Sequence, residues 1–333
     1  MKKKLRVGHI GTKHDHSADI VKCLDKFPDT FEIVGIVEDD PEWRAGIEKN
    51  EVYKNHRFLT GEQLFNAGCD FIICEGFEYD LPYSALKCVE NGIPVHIDKP
   101  AGRDYSVFRK VIEKARAKSI PVQMGYMYRY NPAVEDCLAL VKSGRLGEIH
   151  SVTALMSSDH SPEKRQWLGR FDGGIMFFLG CHMVDLIYMM QGTPEEVTPY
   201  LTRSGIFGCT AIDEATAVFR YRNGISIAQT NSTEIGGGDR RQLVVNGSLG
   251  SFSIQPLEYN GRAKVTFAAL KNGVLIRSCE EHTYPHRTYL ERYDSMMLDF
   301  ASIVRGEKEN PFGYDYELGC QKLVLKTCGI LTE

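Results

Sequence analysis

Apolar and polar positions follow two different rhythms along this chain. In the first third, short unbroken apolar runs of strand length alternate with stretches whose apolar residues recur at helical spacing. Residues 5–10, LRVGHI, form the first run and break at Gly11. ADIVKCLDKF (18–27) then has the period of an amphipathic helix, and the apolar run Phe31–Val37 follows with an acidic end. GEQLFNAG reads as a short helix before the buried strand DFIIC at 70–74, and YSALKCVENG as a helix stopped at asparagine-glycine. PVHI (94–97), the helix SVFRKVIEKARAKS and the strand PVQMGY complete the series. Strands alternating with helices in this manner predict a parallel, doubly wound sheet. Its natural end lies near residue 122, which sets a first domain at 1–122 and a second at 123–333.

After residue 148 the rhythm changes. EIHSVTALMSS, TAVFRYRNGISIAQT, RQLVVNGSLGSFSIQP and AKVTFAALKNGVLIRSC are strand-like. Asn223-Gly224 and Asn272-Gly273 read as hairpin turns, because both residue types tolerate positive φ. The second domain is therefore expected to be α+β, a largely antiparallel open sheet with helices on one face. Those helices would include residues 176–192 and the stretch from Tyr289 to Val304.

Composition narrows the partners. The 333 residues suffice for two ordinary domains, and 43% hydrophobic with 25% charged residues is usual for a soluble enzyme. The formal net charge is −4, and no block of like charge exceeds KKK at 2–4, which argues against nucleic acid or a membrane as main partner. No apolar run reaches transmembrane length, and no signal-peptide pattern follows the basic start. The ten cysteines stand singly, without metal-ligand spacing, and read as small buried residues of a reducing cytoplasm.

The loop after the first strand, GTKHDH, carries the first chemical question. In a dinucleotide fingerprint the first glycine makes a tight turn, the second admits the pyrophosphate, and the third lets helix and strand pack closely. Only Gly11 stands at such a position; Lys13 and His16 occupy the other two. The context still suits a nucleotide, since a strand precedes and a helix N-terminus follows. The second strand ends in Glu38-Asp39-Asp40, where an acid would bind ribose hydroxyls. No arginine follows directly, which favours NAD over NADP. The competing reading is a doubly wound fold without nucleotide, with Lys13 and His14 simply solvated. Metal readings of His14, Asp15 and His16, and of His282 and His286, lack partners that sequence can place, and no metal is expected.

Several segments resemble the Gfo/Idh/MocA family of NAD(P)-dependent sugar and cyclitol dehydrogenases. HIDKPAG (96–102) resembles its Glu-Lys-Pro signature, with Asp98 for the glutamate, and MYRYNP (127–132) its Arg-x-x-Pro segment. SGRLGEIHSV (143–152), the helix DGGIMFFLGCHMVDLIYMMQG (172–192) and a stretch at Phe300–Gly306 follow in the family's order. The resemblance implies a Rossmann domain, an α/β domain with an open sheet, a cofactor at the carboxyl edge of the parallel strands and substrate between the domains. It also implies a homodimer or homotetramer formed through the C-terminal sheet.

On the resemblance, Lys99 would polarise the substrate oxygen. His182 would act as general base, since imidazole titrates near neutrality, and Asp185 would orient it or pair within the helix. Candidate cofactor contacts are Gly11, Thr12, Lys13, His14, Glu38, Asp39, Cys74, Glu75, Asp98, Lys99 and Arg129. Candidate substrate contacts are Tyr126, Tyr128, His160, Trp167, Arg170 and His182; Trp167 would stack on a sugar face and Arg170 would grip an anionic group. Landmarks that depart from the family are the loop GTKHDH, Phe178 where the family has an aspartate, Glu75-Gly76 where it has Thr-Pro, and the region of Tyr79, Asp80 and Tyr83, where the family histidine is absent. The expected function is hydride transfer between NAD and a secondary hydroxyl of a sugar, sugar acid or cyclitol. The alternatives are a glycosidase or lyase that uses bound NAD transiently, and a non-catalytic sugar- or nucleotide-sensing protein.

Overall fold

The structure, a computed structural model, describes residues 3–258, 260–285, 288 and 291–332. The chain divides into two compact units, Met1–Met127 with Tyr289–Gln321, and Tyr128–Thr288 with Lys322–Glu333. The first unit thus extends past residue 122 and regains a stretch from the C-terminal region.

In the first unit β1 (Leu5–Ile10), β2 (Phe31–Val37), β3 (Phe71–Cys74), β4 (Val95–Ile97) and β5 (Val122–Met124) form a parallel sheet in the order β2-β1-β3-β4-β5. From β1 the order proceeds one way to β2 and the other way to β3, so the topological switch lies between β1 and β3. Ligands of open α/β sheets bind beyond the carboxyl ends of the strands at such a point. The helices are α1 (Ser17–Lys26), α2 (Pro41–Ile47), α3 (Gly61–Phe65), α4 (Leu81–Glu90) and α5 (Tyr105–Ala117). On α1, Ile20, Val21, Cys23 and Leu24 are buried, the apolar stripe that its spacing predicts. The helix α2 escapes the periodicity because it buries no residue; its start is fixed by Pro41 and by Asp40, whose carboxylate accepts the Glu42 and Trp43 amides. The helix stretch expected from Tyr289 begins at Asp294 among the described residues, and Tyr289 itself lies outside them.

The second unit holds a mixed eight-stranded sheet in the order β13-β12-β11-β10-β6-β9-β8-β7. Its strands are β6 (Ile149–Ser157), β7 (Glu196–Thr202), β8 (Glu214–Tyr221), β9 (Gly224–Asn231), β10 (Gln242–Gly247), β11 (Gly250–Gln255), β12 (Arg262–Lys271) and β13 (Val274–Thr283). Only the β6–β9 pair is parallel. The helices α6 (Pro132–Lys142), α7 (Pro162–Trp167) and α8 (Cys181–Gln191) belong to this unit. Two further helices close the chain, α9 (Asp294–Val304) in the first unit and α10 (Tyr314–Thr327). The edge strand β7 contains Pro199, which hides it from pattern reading; an edge is where a strand tolerates proline.

Two sequence expectations are corrected here. Asn272 and Gly273 do take positive φ, +51° and +78°, but the turn before β9 is centred on Arg222-Asn223. Gly224 is the first residue of β9, and a Cβ there would fall 1.8 Å from the His150 carbonyl oxygen, so close approach is what demands glycine. The cysteines are not uniformly buried either: Cys69 is half-buried and Cys279 is exposed on the edge strand β13. No described helix is long and apolar enough to cross a membrane.

His9, in the middle of β1, is wholly buried, and desolvation pushes its pKa from 6.5 down to about 3. The unfolded chain therefore binds a proton that the folded chain refuses. The stability from keeping His9 neutral is full above pH 6.5 and drains away as pH falls towards 3. Replacing His9 with Leu should flatten the dependence of unfolding free energy on pH between pH 6 and 4 by about 1.4 kcal/mol per pH unit. Urea unfolding at several pH values measures this; an unchanged slope would show that His9 titrates alike in both states.

Candidate active site

The carboxyl ends of β1, β3 and β4 converge on one buried polar cluster. The loop after β1 brings His14 and His16, the loop after β3 brings Glu75 and Glu78, and the end of β4 brings Asp98 and Lys99. All six are buried. Backbone bonds fix the arrangement: the Glu75 amide donates to the Ile10 carbonyl at 2.8 Å, and the His14 amide to the Glu75 carbonyl at 3.0 Å. Gly11 closes the turn at φ +81°, where a Cβ would meet the Gly76 Cα at 2.4 Å.

Asp98 is the hub. Its Oδ2 lies 3.1 Å from His14 Nδ1 and 3.0 Å from His16 Nδ1, while its Oδ1 accepts the Lys99 amide at 2.6 Å. Although burial pushes its pKa up, the neighbouring His14, His16 and Lys99 outweigh it and hold the carboxyl well below the carboxylate range. Burial dominates for the others. It lowers His14 to about 3 and raises Glu78 to about 7. Glu75 is raised well above the usual range, first by burial and then by the adjacent Asp98 charge.

The ribose end of the expected cofactor site differs from expectation. Glu38 is buried and its Oε2 accepts both the Thr12 amide at 3.0 Å and the Thr12 hydroxyl at 2.7 Å. The Thr12 hydroxyl oxygen also accepts the Trp43 indole N–H at 3.0 Å. Glu38 thus anchors the opening loop, and Asp39 is the exposed acid at the end of β2. Lys13 pairs with Asp40 at 2.6 Å near the surface. Cys74 is buried at the end of β3 and Tyr126 is buried after β5.

In the second unit α8 carries His182, buried and edge-on to the Tyr128 ring at 5.2 Å between centroids. Asp185, one turn on, receives the Arg129 guanidinium in a buried pair, with Nη2 to Oδ1 at 2.7 Å and Nε at 3.0 Å to Oδ2. Arg129, expected at the cofactor, therefore engages α8, and its charge falls on the partner expected for His182. A π-helical turn, Met176–Gly180, leads into α8; such turns frequently mark functional sites. Phe178, in place of the family's aspartate, sits on Trp167 and Phe171 at 5.1 and 5.8 Å. Lys164 lies over the Trp167 ring at 3.5 Å. The face of Trp167 proposed for a sugar is thus covered by an ammonium. Arg170 is exposed and His160 half-buried. Of the His282–His286 pair, His282 is exposed beside Glu280 and His286 lies outside the described residues.

Three residues escape pattern reading. Glu78 belongs to no motif, although CEGFEYD sets two acids around a strand-to-helix turn. His16 stands at a fingerprint-glycine position, which masks its side-chain chemistry. Arg241 on the segment before β10 reaches Glu258 at 2.7 Å and the Tyr128 hydroxyl at 3.5 Å, and no motif announces it.

Residues 134–253 match the family described as the GFO/IDH/MocA C-terminal domain. The similarity to the Gfo/Idh/MocA family rests on that segment, 120 of the 333 residues, and on distant relatives. Among relatives, the Bacillus subtilis oxidoreductase YrbE is 20% identical over 65% of this chain and 62% of its own length. Inositol 2-dehydrogenase 2 of Saccharopolyspora erythraea is 27% identical over 52% of this chain and 50% of its own. The mouse trans-1,2-dihydrobenzene-1,2-diol dehydrogenase is 26% identical, with 52% and 51% covered. The matches span about half to 62% of these relatives' lengths. Two solved structures share the fold over nearly the whole chain. A levoglucosan dehydrogenase in complex with NADH and levoglucosan has a TM-score of 0.79 at 16% identity, covering 98% of both chains. An oxidoreductase from Agrobacterium radiobacter in complex with NAD+, L-tartaric acid and magnesium has a TM-score of 0.76 at 17% identity, covering 98% of this chain and 97% of that one.

The buried Arg129–Asp185 pair generates a test. Arg129→Met leaves a carboxylate buried without its cation and should cost about 3–5 kcal/mol in urea unfolding. The double variant Arg129→Met, Asp185→Leu should recover much of that loss, since it removes both charges. A single-variant cost below about 1 kcal/mol would mean that the pair behaves like a surface ion pair.

Proposed function

We propose that this chain is an NAD-dependent oxidoreductase that moves a hydride between the nicotinamide and a secondary hydroxyl of a sugar, sugar acid or cyclitol. The observation that carries the reading is Lys99, a lysine with no exposed surface at the carboxyl end of β4, among the buried acids Asp98, Glu75 and Glu78. A lysine is buried at such a cost only where its charge is used or paired.

The residues present fit a dinucleotide. Gly11 permits the tight turn against Gly76 at the end of β1, Lys13 offers a partly exposed ammonium now paired with Asp40, and Asp39 offers an exposed carboxylate to ribose hydroxyls. An acid there opposes a 2′-phosphate, so NAD is proposed over NADP. When bound, the nicotinamide supplies the hydride acceptor. Lys99 holds positive charge against the substrate oxygen, and His182 takes the hydroxyl proton. The names of the inositol and levoglucosan dehydrogenases support a polyol or sugar substrate. The proposal includes a homodimer or homotetramer through the second unit's sheet, supported by exposed Leu270, Val274, Leu275 and Ile276 at its β12–β13 edge.

A second reading, a binding protein on the same scaffold that transfers no hydride, draws support from Glu38 and Thr12, which spend on each other the acid and amide that a nucleotide would use. One pair of measurements separates the two. Wild type should quench or shift NADH fluorescence saturably and reduce NAD+ with a panel including inositols and levoglucosan. Lys99→Met should lose about 100-fold or more in kcat while NADH affinity changes only a few-fold. Wild-type turnover in Lys99→Met would remove the lysine from the chemistry, and no NADH binding by wild type would favour the second reading.

A further inference from the structure

The geometry points to a divalent transition-metal site made by His14 Nδ1, His16 Nδ1, Asp98 Oδ2 and Glu75 Oε2. The first three atoms lie within 4.8 Å of one another. Asp98 Oδ2 is 3.1 Å from His14 Nδ1 and 3.0 Å from His16 Nδ1, and Glu75 Oε2 is 3.4 Å from His14 Nδ1. Donors that share one ion at about 2.1 Å stand about 3.0 Å apart in octahedral and about 3.4 Å apart in tetrahedral geometry. The three contacts at 3.0, 3.1 and 3.4 Å fall in that range, and an ion would draw the remaining donors towards it.

Hydrogen bonding fixes which way the key imidazole faces. His14 Nε2 lies 3.1 Å from the Lys99 carbonyl oxygen, which can only accept, so Nε2 carries the proton. Nδ1 of the neutral ring is then a lone pair, directed at two carboxylate oxygens that are lone pairs themselves. The His16 amide also donates to this nitrogen, at a long 3.2 Å, and an ion would take its place. A carbonyl that accepts the distal N–H is how metal-binding histidines are oriented. An independent observation comes from Glu75: its side chain has no exposed surface, no N–H or hydroxyl reaches either carboxylate oxygen, and its carboxyl faces that of Asp98. Glu78, equally buried and without a donor, stands 3.8 Å from His14 Nε2. With an ion displacing their protons, the three buried carboxylates against the Lys99 ammonium would carry two formal negative charges, the complement of one divalent cation. Two imidazoles among the donors favour zinc, cobalt, iron or manganese over magnesium or calcium. The ion would tie the opening loop to the ends of β3 and β4, in place of the close packing that the absent fingerprint glycines provide.

The test uses the full chain, without nicotinamide, so its outcome is independent of the oxidoreductase reading. Chelator-stripped protein is titrated with Zn2+ by calorimetry and with Co2+ by visible absorption. The expected result is one ion per chain and cobalt d–d bands, with affinity reduced about 100-fold or more in His16→Ala and in Glu75→Gln. X-ray absorption on the wild-type zinc form should count two imidazoles, a measurement that needs no variant to fold. Absence of binding at micromolar Zn2+ would overturn the site and leave a proton shared among Asp98, Glu75 and His14 as what holds the cluster together. Unaltered affinity in both folded variants, or an absorption spectrum without imidazole, would overturn it as well.

Discussion

The first unit is organised around a charge that has nowhere to go. Asp98 ends β4 with its carboxylate out of water, and a buried anion is tolerated only when donors surround it. Its two oxygens therefore dictate the positions of their neighbours. One claims the Lys99 amide, which turns the chain sharply after the strand; the other faces both histidines, which pulls the loop after β1 inward. Gly125 beyond β5 is part of the same constraint, because a Cβ there would lie 2.7 Å from Asp98 Oδ1. Loop conformation, histidine orientation and the burial of Lys99 all descend from this one carboxylate.

The second unit solves a similar problem differently. Arg129 and Asp185 neutralise each other in a forked, fully buried pair, the geometry in which a guanidinium binds a carboxylate most specifically. Around the preceding turn, Phe177 and Phe178 stack on Phe171, and Trp167 meets Phe171 and Phe178 edge-on, forming a continuous aromatic cluster. The start of α8 is thus secured by rings and its middle by an ion pair, which leaves His182 between two rigid anchors.

Much of this was legible in the chain. The five parallel strands follow from apolar runs of strand length, since strands covered on both faces need no polar alternation, and the segments around Lys99 and His182 mark them as candidates. What escaped reading did so for physical reasons. The helix α2 buries no residue and so leaves no periodic trace, and β7 is interrupted by Pro199. The pairing of Arg129 with Asp185 joins positions 56 apart, and His14 meets Asp98 across 84 positions and the Lys99 carbonyl across 85. Such contacts are set by strand order, not by local spacing. Glu38 illustrates the converse: its location at the end of β2 was evident, but its commitment to Thr12 depends on a loop conformation that no spacing rule encodes.

The π-turn at Met176–Gly180 changes what spacing means along this helix. A turn closed over five residues holds one residue more than an ordinary helical turn. Counting back from His182 in steps of four consequently loses its meaning across this segment, for the side chain one turn below is reached after a longer step. Phe178 lies inside that wider turn with its ring against Trp167 and Phe171, so the wall it builds there is apolar.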